Sequence, residues 1–169
     1  MNGAVLKPNR LTRSLAGVSR LPAFAQGFVR NFVIRRAVPF TGTARLNFEV
    51  MTAQQVTVSV ANARRVQNHI GSVHAAAMAL LAETASGMVV GMNVRDECIP
   101  LIKSFTLNFK RRAGGDMRAV ATLSAEAQHL LLTQDKGECL VPVVVTDASG
   151  ASPIECEMLW AWIPKPVKS

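Results

Sequence analysis

Aromatic side chains are scarce in this chain of 169 residues, which has no tyrosine, two tryptophans and seven phenylalanines. Surfaces that bind single-stranded nucleic acids usually combine basic residues with stacking aromatic ones. The chain has no glycine-rich aromatic motif, and none of its basic runs is longer than three residues. We therefore expect no nucleic acid partner.

Cysteine is also rare. Cys98, Cys139 and Cys156 have no C-x-x-C spacing, and the three histidines complete no recognisable ligand set with them. The sequence therefore predicts neither a disulfide framework nor a metal site. No apolar run reaches membrane-spanning length without a polar residue such as Glu83 inside it. Reduced cysteines and this hydropathy pattern predict a soluble cytoplasmic protein.

Acidic residues are absent from the first 48 positions, whereas residues 49–169 carry 11 acidic and 11 basic side chains. The basic residues of the first segment are Lys7, Arg10, Arg13, Arg20, Arg30, Arg35, Arg36 and Arg45. Because apolar residues alternate with them, the segment has three interpretations: an amphipathic helical arm on the domain, a helix on a membrane surface, or an organelle transit peptide.

We favour the arm, because apolar residues continue through Phe28, Phe32 and Ile34 and can pack on a domain. The chain then divides into a basic amphipathic helical arm, residues 1–40, and one globular domain, residues 41–169. Membrane contact stays open as a less favoured property of the arm.

The pattern after the arm predicts one helix among antiparallel strands. A turn is expected at 38–42, strands at 45–50 and 56–60, a helix from His74 onward, and strands at 99–111, 117–127, 138–147 and 154–163. The Gly114-Gly115 turn predicts that the third and fourth strands form a hairpin, and Pro142 is expected at an edge or bulge. This order predicts an α+β fold in which a curved antiparallel sheet wraps around one long central helix.

The predicted central helix is rich in Ala, Leu and Met and carries a single acid, Glu83. Burying an unpaired carboxylate is unfavourable, so Glu83 either faces a polar cleft or has a raised pKa. Both cases indicate a functional site. The alternative is that Glu83 lies on an exposed edge of the helix.

Three segments resemble the hotdog-fold thioesterases of the phenylacetate-degradation and enterobactin-proofreading type. His74-Ala75-Ala76 with Leu81-Ala82-Glu83 is similar to the HGG turn and helical LAE signature of that family, and Asn68 stands where such enzymes have Gln or Asn. The segment 108–115 is similar to the family's strand end before a glycine turn. The likeness covers about residues 44–163 and is nearest to an uncharacterised branch with an NHxGxxHA turn.

The resemblance implies the hotdog fold, hydrolysis of acyl thioesters and a homodimer, with pairing into tetramers left open. Ala75 replaces the usual glycine, which matters only if glycine's backbone angles are required. Some relatives place Ser or Thr four residues after the acid. That position is Gly87 here, and Ser86 precedes it.

A thioesterase needs donors for the developing oxyanion and a group that attacks the carbonyl or activates water. The amides of Ala75 and Ala76 at the helix N-terminus are expected donors. Glu83 lies eight residues after Ala75, which is about 12 Å along the helix axis. We therefore expect two antiparallel central helices, with Glu83 of one chain facing Ala75 of the other.

The remaining candidates have auxiliary roles. Asn68 is expected to position the water or the thioester, and Ser86 to contact the acid or the substrate. His74 is expected to shape the turn rather than act as a base.

Lys110, Arg111 and Arg112 either hold the phosphates of coenzyme A, as part of the substrate rather than a cofactor, or form a solvated strand end. The sequence leaves open whether the thiol carrier is coenzyme A or an acyl carrier protein. Two other functions stay open: a non-catalytic hotdog protein that binds acyl thioesters or lipids, and a hydroxyacyl-thioester dehydratase using His74 with Glu83.

Overall fold

A helical N-terminal part precedes a strand-rich part with one long helix. The computed structural model describes residues 9–166. The helices are α1 Arg10–Val18, α2 Ala23–Ala37, α3 Pro39–Ala44, α4 Ala75–Asn93 and α5 Ala125–Thr133, with a short 3-10 turn at Arg64–Val66. The strands are β1 Asn47–Met51, β2 Gln55–Val60, β3 Cys98–Phe109, β4 Met117–Thr122, β5 Gly137–Val141, β6 Val143–Asp147 and β7 Ile154–Pro164.

The strands form two antiparallel sheets that enclose α4. One sheet has the order β1-β2-β4-β6 and the other β3-β7-β5, and β6 lies against β7 where the two sheets meet. Helix α4 contacts strands of both sheets. The prediction of a curved antiparallel sheet around a central helix is therefore confirmed.

Helix α4 is the core helix of the domain. Its Ala, Leu, Met and Val side chains supply much of the buried apolar surface, with Leu81, Ala85 and Val89 fully inaccessible. By length and composition alone this helix could cross a membrane. Most of it is buried inside the domain, which is typical of the core helix of a soluble protein.

The predicted hairpin between the third and fourth strands is wrong. β3 pairs with β7, and β4 lies between β2 and β6. The loop after β3 instead leads the chain from one sheet to the other, and the amides of Lys110 and Arg111 still donate to the Pro153 carbonyl beside the start of β7. A glycine turn shows where a strand ends but not which strand it meets next.

Two further assignments need correction. The predicted strand 138–147 is two strands, because the chain passes from the second sheet to the first at Pro142, which lacks the N–H that a continuous ladder needs. The predicted strand 117–127 ends at Thr122, and α5 follows. Ser124 caps that helix by accepting from the Ala127 amide, a start signal that the alternating pattern masked.

The described part of the arm is helical, as expected, but it contains three helices. The predicted turn at 38–42 is wrong, because Pro39 begins α3, a position where proline is favoured. The expected boundary at residue 40 falls inside this helix and stays a prediction. Lys7 lies outside the described residues.

Helix α2 covers the free edge of β1 with polar side chains. Asn31 accepts from the Phe48 amide at 2.8 Å, Arg30 donates to the Glu49 carbonyl at 3.0 Å, and Arg35 donates to the Leu46 carbonyl at 2.9 Å. These bonds occupy backbone groups that an edge strand would otherwise leave open. Of the apolar residues in α2, Ile34 alone is buried. The prediction that Phe28 and Phe32 pack on the domain is therefore wrong.

Candidate active site

The first turn of α4 presents a backbone donor. His74 is the N-cap residue, and its Nδ1 accepts a hydrogen bond from the Ala76 amide at 3.0 Å. The Ala76 amide is therefore occupied, which corrects the expectation that it is a free donor. The Ala75 amide has no acceptor among residues 9–166. His74 shapes the turn, and Ala75 carries the open N–H at the positive end of the helix dipole.

The turn before α4 is built around Asn68. Its Oδ1 accepts from the amides of Ile70 and Ser72, both at 3.1 Å, and Gly71 takes the left-handed conformation (φ 74°). The side-chain amide of Asn68 makes no hydrogen bond in the described part of the chain and is half-buried. One end of Asn68 thus fixes the turn while its NH₂ group remains available.

One face of α4 is incompletely buried. Glu83 lies on this face, together with Ala76, Leu80 and Gly87 at helical spacing. Burial raises the pKa of the Glu83 carboxyl, and a weak hydrogen bond from the Thr84 hydroxyl (3.5 Å) opposes this. No basic side chain within residues 9–166 forms an ion pair with it.

A cavity of about 190 Å³ opens beside the start of α4. His74, Ala76 and Leu80 form its helical wall. Phe40 from α3, together with Arg65 and Gln67 from the segment before α4, closes the other side. The cavity therefore has an apolar wall and a basic side chain, and Glu83 is one helical turn beyond Leu80.

Sequence reasoning missed the far wall of this cavity. Gln67 is held by a hydrogen bond from its Nε2 to the Asn62 carbonyl at 3.2 Å. Phe40 reaches the cavity because α3 packs beside α4 and the 3-10 turn. No local motif marks Phe40, Arg65 or Gln67, because long-range packing alone brings them to the helix.

Ser86 is not in the cavity, although it was expected to contact the acid or the substrate. It is fully buried, and its hydroxyl donates to the carbonyl of Ala82 or of Glu83 and accepts from Trp160 Nε1 at 3.0 Å. A Cβ on Gly87 would lie 2.7 Å from Cη2 of Trp160. Ser86 and Gly87 thus seat the indole, and a Ser or Thr side chain at position 87 would collide with it.

The three cations expected to hold coenzyme A phosphates all have internal partners. Lys110 pairs with Glu155 at 2.8 Å in an exposed position, and Arg111 pairs with the buried Asp147 at 2.7 Å. Arg112 donates to Ser72 Oγ (2.9 Å) and to the Ile70 carbonyl (2.7 Å). Arg112 therefore steadies the turn before α4, and Arg111 is structural.

A larger cavity of about 450 Å³ lies at the other end of α4, beside α1. Its polar wall is already used to bind α1: Asn9 donates to the Val94 carbonyl at 2.6 Å, and Arg13 pairs with Asp96 at 2.8 Å. No group of His, Cys, Asp and Glu side chains able to hold a metal ion occurs within residues 9–166. The α4 N-terminus is therefore the better candidate site.

Comparison with solved structures agrees with this architecture. A Pseudomonas aeruginosa protein of unknown function, also described as "Probable Thioesterase", is 28% identical, with a TM-score of 0.74 over 86% of this chain and 97% of its own. A thioesterase from Haemophilus influenzae is 12% identical, with a TM-score of 0.59 over 74% and 82% of the two chains. A thioesterase family protein from Silicibacter pomeroyi is 12% identical, with a TM-score of 0.63 over 80% and 96%.

These likenesses confirm the predicted hotdog fold. No curated protein matches the chain. The sequence profile of one family, described as a domain of unknown function (DUF4442), matches residues 28–163. The chain therefore belongs to the DUF4442 family, within the hotdog-fold thioesterase superfamily.

Proposed function

We propose that this protein is a thioesterase that hydrolyses acyl thioesters at a site shared by two copies of the chain. The observation that carries the proposal is Glu83, a half-buried carboxylate on an apolar helix with no ion-pair partner in the described residues. A carboxylate in such surroundings loses hydration and gains only the weak hydrogen bond from Thr84, which is typical of catalytic acids and bases rather than of structural ion pairs.

The second copy is needed because of the distance along α4. The Ala75 amide and the Glu83 carboxylate are separated by about 12 Å of helix rise, so one chain cannot bring both to one carbonyl carbon. Antiparallel packing of two α4 helices about a two-fold axis places Glu83 of the partner subunit opposite Ala75, and generates two equivalent sites.

Strand β3 supports such a dimer. It is 12 residues long, pairs only with β7 among the described strands, and leaves its other edge open. Phe105 lies directly opposite the fully buried Met158 on the same sheet face, yet 49% of its surface is exposed. An inward-facing phenylalanine beside a free edge indicates a missing cover, and a second β3 would supply it.

The proposed chemistry uses the Ala75 amide, the Asn68 side chain and the partner subunit's Glu83. The thioester oxygen accepts a hydrogen bond from the Ala75 amide, and the helix dipole stabilises the charge that develops there. The partner subunit's Glu83 attacks the carbonyl carbon or removes a proton from the attacking water. The NH₂ group of Asn68 orients the water or the thioester. The carbon–sulfur bond then breaks and the thiolate leaves, taking up the proton that the partner subunit's Glu83 removed from water. If Glu83 is instead the nucleophile, the thiolate takes a proton from solvent, and a water molecule then hydrolyses the acyl–Glu83 anhydride to the free acid.

The cavity beside α4 suits part of a thioester substrate. Leu80 and Phe40 provide apolar contact, and Arg65 supplies a positive charge for a phosphate of coenzyme A or of an acyl carrier's phosphopantetheine. Of the original three phosphate candidates, Lys110 alone has an exposed partner and can exchange Glu155 for a substrate phosphate.

Among the alternatives, the non-catalytic interpretation has two grounds, the loss of the usual glycine and the many members of the similar branch that have no assigned substrate. The structure bears on the first. Ala75 takes an ordinary negative φ, since Arg45 is the one non-glycine residue with positive φ in residues 9–166. The substitution therefore keeps the amide donor without backbone strain. The dehydratase alternative requires His74 as an acid or base, and because its Nδ1 caps the helix, only Nε2 is left for that role.

The test is thiol release from short, medium, long and aromatic acyl-CoA substrates by the wild type and Glu83→Gln. Enoyl absorbance is followed in parallel on a 3-hydroxyacyl-CoA, the substrate that a dehydratase needs. We expect selective turnover that Glu83→Gln lowers by about 100-fold or more. Saturable acyl-CoA binding without turnover by either protein would indicate the binding function, and enoyl absorbance without thiol release would indicate the dehydratase.

A further inference from the structure

Helix α2 carries a row of exposed phenylalanines. Phe24, Phe28 and Phe32, here called the Phe stripe, follow one another at intervals of four residues and are 90%, 76% and 62% exposed. Four-residue spacing places them on one face of the helix. Scattered exposed apolar residues are common, but three aromatic rings in one row form a contiguous patch that indicates an interaction surface.

The orientation of α2 keeps this patch exposed. Asn31, Arg30 and Arg35 hold the helix against the free edge of β1 through hydrogen bonds to Phe48, Glu49 and Leu46. Rotating the helix to bury the phenylalanines would break these bonds and leave the β1 edge unsatisfied. The side of α2 that carries Asn31, Ile34 and Arg35 therefore binds the domain, and the side that carries the Phe stripe faces outward.

Positive charge flanks the patch at both ends in sequence. Arg36 follows Phe32 by four residues on the same helix, and Arg20 lies in the turn that precedes α2. No ion pair or side-chain hydrogen bond involves either guanidinium within residues 9–166, and α2 contains no acid. A groove of about 420 Å³ lies between the rings of Phe28 and Phe32 and the side chains of Arg35 and Arg36. Aromatic rings flanked by unpaired cations complement a surface that has an outer layer of anionic groups over an apolar interior.

We propose that α2 docks the protein on an anionic lipid membrane. The Phe stripe enters the interface between headgroups and acyl chains, while Arg20 and Arg36 bind headgroup phosphates. The proposed dimer edge is β3, in the other sheet, so membrane docking and dimerisation use different elements. A thioesterase held there would act next to lipid-derived acyl groups, but the docking itself does not depend on hydrolysis.

Sedimentation with vesicles tests the proposal on the full chain. The probes are phosphatidylcholine vesicles with and without about 30% phosphatidylglycerol. The variants are Phe24→Ser with Phe28→Ser and Phe32→Ser, the double charge reversal Arg20→Glu with Arg36→Glu, and Leu140→Ser. Leu140 is a matched control because it is an exposed apolar side chain on β5, outside α2.

We expect the wild type and Leu140→Ser to bind the anionic vesicles alike, and the triple phenylalanine variant to bind at least about tenfold more weakly. The charge reversal should remove the preference for anionic vesicles. Three results would overturn the proposal: no vesicle binding by the folded wild type, equal binding by the triple variant, or equal binding to neutral vesicles. A change in oligomeric mass caused by the triple variant, without vesicles, would show instead that the stripe joins two copies.

Discussion

His74 Nδ1 accepts a hydrogen bond from the Ala76 amide at 3.0 Å, whereas the neighbouring Ala75 amide in the first turn of α4 has no acceptor among the described residues. A histidine in this position has a structural task before any chemical one. It fixes the path of the chain into α4 and thereby the direction of the Ala75 N–H.

Ala75→Pro should remove this donor without breaking the helix. Position 75 is the first residue of α4, where proline is favoured, and His74 already has the extended backbone (φ −66°, ψ 146°) that a following proline requires. We expect kcat to fall by about 100- to 1,000-fold, as for other lost oxyanion donors. Ala75→Gly keeps the N–H and should retain most activity. Equal activity of the proline and glycine variants would exclude the Ala75 amide from catalysis.

Glu83→Gln should increase stability at neutral and alkaline pH while it lowers turnover. Burial raises the pKa of Glu83, so the folded protein keeps this proton at pH values where the unfolded chain has released it. The group's contribution to the free energy of unfolding is therefore most favourable below the unfolded-state pKa and falls as the pH rises through the folded-state pKa.

Glutamine carries no charge at any pH, so thermal unfolding should show a higher midpoint for Glu83→Gln than for the wild type at about pH 8, and nearly equal midpoints near about pH 4. Thermal scans across this range measure the difference. A lower midpoint for the variant at high pH would reveal a stabilising partner of the carboxylate.

Ser86→Ala should destabilise the fold without affecting chemistry. The variant leaves the buried Trp160 N–H without an acceptor, a loss of about 1–3 kcal/mol in urea unfolding. In a Trp160→Phe background that donor is absent, and Ser86→Ala should have a smaller effect. Because Ser86 does not reach the cavity, kcat per folded molecule should remain unchanged. A large drop in kcat with normal stability would show that Ser86 contributes to catalysis.

Arg65→Ala should weaken binding of a coenzyme A thioester more than Lys110→Ala does. Arg65 lines the cavity, whereas Lys110 is paired with Glu155. We expect KM for acyl-CoA to rise about 3- to 10-fold in Arg65→Ala with kcat nearly constant, because one charged contact to a phosphate is lost. A short acyl thioester without phosphates is the control and should show no change. A larger increase in KM for Lys110→Ala than for Arg65→Ala would support the phosphate site that the sequence predicts around Lys110.

Several features of the fold were predictable because their signals are local. The apolar run of α4, the turn before it and the alternating strands all have short-range patterns. The pairing of β3 with β7 was not predictable, because turn residues mark the end of a strand and not its neighbour. The start of α5 was missed because alternating apolar residues continue through Ala125 and Ala127 and conceal the Ser124 cap.

The candidate site likewise combines residues that a local sequence pattern reveals with residues that only long-range packing brings together. His74, Ala75 and Glu83 follow from one contiguous segment and its likeness to the hotdog thioesterases. Arg65 and Phe40 become neighbours of α4 only through packing of the 3-10 turn and α3. The exposure of the Phe stripe depends on which side of α2 faces β1, and polar contacts decide this against the apolar pattern.

The most direct test of the shared site mixes two inactive variants, Ala75→Pro and Glu83→Gln. After unfolding and refolding of an equimolar mixture, half of the dimers are mixed, and each mixed dimer has one intact Ala75–Glu83 pair across the interface. We predict that activity returns to about a quarter of the wild-type value, as two-fold symmetry of the proposed dimer requires. If both variants refold into dimers and the mixture stays as inactive as each variant alone, the two groups do not act across the interface.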